Sequence, residues 1–207
     1  MKKRIEISLP QRSVISLLIN SVYALWNVWL GTSEKSWWFV TIGAYYITLT
    51  LMRSVALTFW KVGRKDSRFL IKFTGISLIA TSLPLLGIAI IASVRDVGNR
   101  FHEIIMISIA LYSFGKITLA IISLVKAKKH SSCAELSLRH ISFADAVVSI
   151  ASLQRSMLVS FGEMPISQIR IFNTATSSAA SVLVFLLGIW LIKRGRTRSF
   201  SLFNYMS

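Results

Sequence analysis

Residues 69–93 read FLIKFTGISLIATSLPLLGIAIIAS, and this run decides the fold class. A helix needs about 20 mostly apolar residues to cross a hydrocarbon core about 30 Å thick, and the stretch meets both requirements. Working outward from it, runs of the same kind recur on both sides. The chain is therefore expected to be an all-α polytopic membrane protein with six transmembrane helices, at about 13–30, 37–60, 69–93, 102–126, 140–162 and 173–192. Its connections are too short to hold a soluble domain, so residues 1–207 read as a single integral membrane domain. Pro84 lies inside the third span, where it removes a backbone donor and frees the carbonyl of Ala80, and a kink is expected there.

The charges follow the spans. Of 207 residues, 24 are Lys or Arg and 8 are Asp or Glu, giving a formal net charge of +16. In a soluble chain that balance would point to nucleic acid, but its placement points elsewhere. Sixteen basic residues fall before the first span or after the second, fourth and sixth, against four (Lys35, Arg95, Arg100 and Arg170) in the intervening connections. Basic loops resist translocation, so both termini are expected in the cytoplasm. The same residues are expected to attract anionic lipid headgroups, and no nucleic-acid partner is expected. The cytoplasmic membrane of a bacterium is the expected location. The basic start followed by an apolar stretch resembles a signal peptide, but LINSVYALWNVWLG (18–31) offers no convincing small-x-small cleavage site, so an uncleaved first helix is expected. Trp26, Trp29, Trp37, Trp38 and Trp60 gather near span ends, where aromatic side chains meet wet headgroups. Cys133, the one cysteine, is placed in a cytoplasmic loop.

Two stretches resemble each other. Residues 50–59 read TLMRSVALTF and residues 152–161 read SLQRSMLVSF, so an arginine sits in two apolar runs with similar neighbours. Six spans split into three and three, and an odd number per half would orient the halves oppositely, as in a 3+3 inverted repeat. The two motifs would then occupy the second helix of each half.

Ionisable residues inside a membrane are costly and mark functional sites by default. At about 1.5 Å of rise per residue, Arg53 lies roughly 7 Å and Lys116 roughly 3 Å to the cytoplasmic side of the midplane. Asp145 lies roughly 9 Å to that side and Arg155 roughly 6 Å to the other. Arg53 is expected to pair with Asp145 or to reach toward headgroups; Lys116 is too central to do the latter and would be neutral in a dry pocket. Arg155 keeps its charge and needs a compensating group. On the fifth span Ser142, Asp145, Ser149, Ser152, Ser156 and Glu163 share one face, opposite Phe143, Val147, Ile150, Leu158 and Phe161. Polar stripes elsewhere include Asn20, Tyr23 and Asn27; Tyr46, Thr50 and Arg53; Ser77 and Thr81; Ser108, Tyr112 and Lys116; and Asn173, Ser177 and Ser181. Such stripes line a water-filled cavity or let helices pack closely.

Catalytic motifs are missing from the sequence: there is no H-E-x-x-H, G-x-S-x-G, phosphate-binding loop or dinucleotide fingerprint. His102, His130 and His140 lack metal-ligand spacing. No cofactor and no metal are expected. The leading expectation is a small membrane protein that binds or transports an anionic small molecule or lipid headgroup. The site would use Arg53, Lys116 and Arg155, with Asp145 as counter-ion or proton site and Tyr46 and Tyr112 orienting the ligand. The rival is an accessory subunit whose buried charges are ion-paired and whose polar helix faces dock a membrane-protein partner. A lipid-modifying membrane enzyme is the weaker alternative.

Overall fold

A computed structural model describes residues 9–33, 35, 37–64, 68–94, 103–125, 132–161 and 164–203. They form six helices: α1 (Leu9–Ser33), α2 (Trp37–Lys61), α3 (Arg68–Val94), α4 (Glu103–Val125), α5 (Cys133–Phe161) and α6 (Ile166–Phe203). No strand occurs among the described residues. α1, α2, α3, α5 and α6 each contain a stretch long and apolar enough to cross a membrane; in α4 the apolar stretch among the described residues is Ser113–Ile122. α3 is one continuous helix through Pro84.

Local chemistry sets several helix ends. α2 stops at Gly63, whose φ of 81° is the left-handed conformation that a residue with a Cβ disfavours. The amides of Val62 and Gly63 donate back to the carbonyls of Thr58 and Trp60 at 2.9 and 3.4 Å, closing the last turn. α5 begins at Cys133, seven residues before the expected span, because Ser132 caps it. The Ser132 hydroxyl accepts from the amide of Glu135 at 3.3 Å, and its carbonyl accepts from the amide of Leu136 at 2.9 Å. Ser132-Cys-Ala-Glu135 is the sequence form of a capping box. Cys133 is therefore not a loop residue but is buried in the first turn of α5. Replacing Ser132 with alanine is expected to cost about 1 kcal/mol, read as faster amide exchange confined to the first turn of α5.

Small residues let neighbouring helices approach closely. In the α1–α2 hairpin, Gly31 faces Val40 and Gly43 faces Val28. α3 and α6 cross where Gly75 and Gly188 meet backbone to backbone, and Ser181 on α6 donates to the carbonyl of Ser82 on α3 at 3.0 Å. α5 touches all five other helices, which explains how the least apolar candidate spans can include one so rich in serine: its polar side chains are enclosed.

The surface is inverted relative to a water-soluble protein. Leu25, Leu83, Leu111 and Val125 are 67–79% exposed, whereas Arg53 and Asp145 are buried at 0 and 1%. Trp26, Trp29 and Trp37 are also exposed. Apolar side chains outside and charges inside are compatible with an integral membrane protein that carries ion-paired charges in its interior.

Candidate functional site

α5 brings Asp145 to the middle of a polar cluster. Its Oδ1 lies 2.7 Å from the ammonium of Lys116 on α4, and its Oδ2 lies 3.4 Å from Nη2 of Arg53 on α2. Oδ2 also accepts from the amide of Asn20 on α1 at 3.2 Å. Lys116 donates to the Ser149 hydroxyl at 3.1 Å, one helical turn along α5, while that hydroxyl donates to the Asp145 carbonyl at 2.8 Å. Arg53 is held further by Ser16, which accepts from Nη1, and by Ser142, which lies 3.5 Å from Nη2. One carboxylate thus joins four helices.

The two cations on Asp145 differ in access. The Arg53 side chain is 1% exposed and that of Lys116 is 15% exposed. Lys116 forms part of the wall of a cleft of about 110 Å³ between α1 and α4, with Arg12, Ser13 and Ser16 from α1 and Ser142 and Asp145 from α5. Arg12, near the start of α1, is exposed at its rim. Around this cleft three cations face one carboxylate, so its walls keep a surplus of positive charge.

Tyr45 and Tyr46 lie next along α2. Their rings meet edge to face at 5.3 Å, and the Tyr46 ring centroid is 5.9 Å from the Lys116 ammonium. The Tyr45 hydroxyl donates to the carbonyl of Ala144, the residue before Asp145, at 3.3 Å. Beyond the tyrosines is a second, smaller chamber of about 20 Å³, bounded by both of them, Ser152 and Arg155 on α5, and Ser177 on α6. Arg155 is buried there at 6% exposure. It is ten residues from Asp145, about 15 Å along α5.

The expected residues therefore divide. Arg53, Lys116 and Asp145 come together, and the pairing expected for Arg53 is present. Lys116, expected as a ligand-binding cation or, in a dry pocket, as a neutral amine, lies within ion-pair distance of Asp145, a pairing the sequence reading did not assign to it. Arg155 stands apart, in the second chamber, with Tyr46 between the two spaces. Tyr112 lies on α4, but its side chain is outside the described residues, as are Glu163, His102 and His130. The polar stripes do not share one cavity. Ser181 and Thr81 bond to backbone carbonyls and serve packing, Asn27 bonds to the carbonyl of Tyr23 in its own helix, and Asn20 serves the cluster. Arg12, Ser13 and Ser16 were not among the expected site residues. Extending the Asn20–Tyr23–Asn27 stripe back by four and seven residues would have found Ser16 and Ser13.

No protein-family model matches this chain, and comparison with characterised proteins gives no significant match.

Proposed function

We propose that this is an integral membrane protein that binds a carboxylate or phosphate group, free or on a lipid headgroup, in the cleft between α1 and α4. The observation that carries the reading is the partial exposure of Lys116 in a cleft whose walls hold three cations and one carboxylate. Arg53 is sealed behind Asp145 and fixes that carboxylate; Lys116 is the cation a ligand can reach, Arg12 guards the rim, and the hydroxyls of Ser13 and Ser16 offer donors. The distribution of basic loop residues supports a cytoplasmic mouth for the cleft, and the bacterial cytoplasmic membrane is the setting proposed with it. A 3+3 inverted repeat draws support from the paired arginine motifs and from part of the neighbour relations: exchanging the halves maps α1/α2 onto α4/α5, α2/α3 onto α5/α6, and α3/α6 and α2/α5 onto themselves, whereas α3/α5 and α1/α5 have no counterpart among the described residues. Such an arrangement suits transport.

The test is thermal unfolding in phosphatidylcholine nanodiscs at constant ionic strength, with inorganic phosphate, acetate or formate added, and in a separate arm with phosphatidylglycerol in the disc. Stabilisation by a soluble anion assigns the free ligand; stabilisation by phosphatidylglycerol alone assigns the headgroup. Lys116→Gln is expected to weaken the response about tenfold or more, as loss of a charged hydrogen bond does. An identical response in a folded Lys116→Gln protein would remove the cleft from the account.

A second reading has its own support. Both cations of the inner cluster are within ion-pair distance of Asp145, as in an accessory subunit whose charges are compensated internally. That reading expects no anion response in any arm and stability that depends on a membrane-protein partner.

A further inference from the structure

We propose that Arg155 is the second station of an anion route that begins at the Lys116 cleft and is closed in this conformation by Tyr45 and Tyr46. The inference rests on the binding reading and extends it from one site to a path. Three observations carry it. Tyr46 stands between the two spaces: its ring is 5.9 Å from the ammonium of Lys116, a residue of the cleft wall, and it bounds the chamber of Arg155. Tyr45, which packs edge to face on Tyr46, donates to the carbonyl of Ala144, so it is Tyr45 that is tied to the helix carrying both Asp145 and Arg155, and Tyr46 is the ring that moves. The second chamber, otherwise walled by apolar side chains such as Ile42, Leu85 and Val148, shares with the first a buried guanidinium and serine hydroxyls, here Ser152 and Ser177, at the arginine of the repeated motif.

The sizes give the route a direction of opening. The cleft, at about 110 Å³, accommodates a small anion with water, whereas the chamber, at about 20 Å³, has room for roughly a single water. An anion therefore loads at Lys116 first. Passage to Arg155 requires the Tyr46 ring to swing away from the wall of the chamber. The tyrosines set selectivity by size, and Arg155 compensates the anion's charge after it leaves the inner cluster.

The experiment uses proteoliposomes of phosphatidylcholine loaded with radiolabelled formate or inorganic phosphate, with efflux compared against protein-free vesicles and binding followed in parallel by the nanodisc thermal shift. The wild type is expected to release formate faster than phosphate. Arg155→Gln is expected to slow formate release at least tenfold while leaving the thermal shift from the Lys116 cleft unchanged, with Arg155→Lys restoring part of the flux. Ser177→Val, which keeps every charge, is expected to slow release several-fold and covers the case in which Arg155→Gln does not fold. Tyr46→Ala is expected to raise release of phosphate toward that of formate. Binding without flux, or flux indifferent to both Arg155→Gln and Ser177→Val, overturns the route and leaves the binding reading standing. Absence of both binding and flux overturns the two together.

Discussion

Replacing Asp145 with leucine is expected to destabilise the protein by about 3–5 kcal/mol, the usual cost of leaving a buried charge without its partner. The effect belongs at the top of that range because one change strands two cations: Arg53, which is fully buried, and Lys116, 2.7 Å from the lost carboxylate. It also removes the acceptor of Asn20, loosening α1 from α5. Thermal unfolding in detergent should show a large fall in midpoint. The triple replacement Arg53→Met, Lys116→Met, Asp145→Leu should recover most of the loss, since well-packed apolar side chains often match or exceed a buried ion pair in stability. That recovered protein should have no anion response, which separates the cluster's part in binding from its part in folding.

The second large effect concerns the α3–α6 crossing. A Cβ on Gly188 would sit 2.7 Å from the Gly75 carbonyl oxygen and 3.1 Å from the amide nitrogen of Ile79. A Cβ on Gly75 would sit 2.9 Å from the Gly188 carbonyl oxygen. These neighbours are backbone atoms and cannot rotate away, so the helices themselves must separate. Gly188→Ala is expected to cost about 1–3 kcal/mol, and Gly188→Leu more, by the ordinary penalty of overpacking. Gly115 is the control. Nothing lies within 4 Å of a Cβ built there, and alanine in place of glycine in a helix interior gains up to about 1 kcal/mol. Gly115→Ala should therefore raise the unfolding midpoint where Gly188→Ala lowers it. Equal effects of the two would show that helix propensity, and not the close crossing, governs both.

The all-helical, apolar character of the chain was legible in the sequence because a membrane imposes a simple length rule, and residues 69–93 satisfy it. The start of α5 was harder. Its first seven residues include Glu135 and Arg139 and read as part of a polar connection by hydropathy; the capping pattern Ser132-Cys-Ala-Glu135 is the signal that would have placed them in the helix. In the site, Arg53 and Asp145 could be matched from their depths alone. Lys116 could not, because the two α-carbons differ in depth while the flexible four-carbon stem of lysine carries its ammonium across the gap. Depth along a span also says nothing about rotation around it, so the separation of Arg155 from the cluster by Tyr45 and Tyr46 depended on how α2 and α5 face each other. Arg12 was hidden for a different reason: its charge had a sufficient explanation in topology, although its position places it on the rim of the cleft.

The most direct measurement follows the ammonium of Lys116 itself. Protein labelled with 15N at lysine side chains, in phosphatidylcholine nanodiscs, gives one resonance that disappears in Lys116→Gln and is thereby assigned. On titration with inorganic phosphate, acetate or formate, or on introducing phosphatidylglycerol, that resonance should move and saturate while those of the exposed Lys61 and Lys72 do not follow the same curve. A Lys116 resonance that stays in place throughout, or moves only in step with the exposed lysines, would contradict an anion site in the cleft.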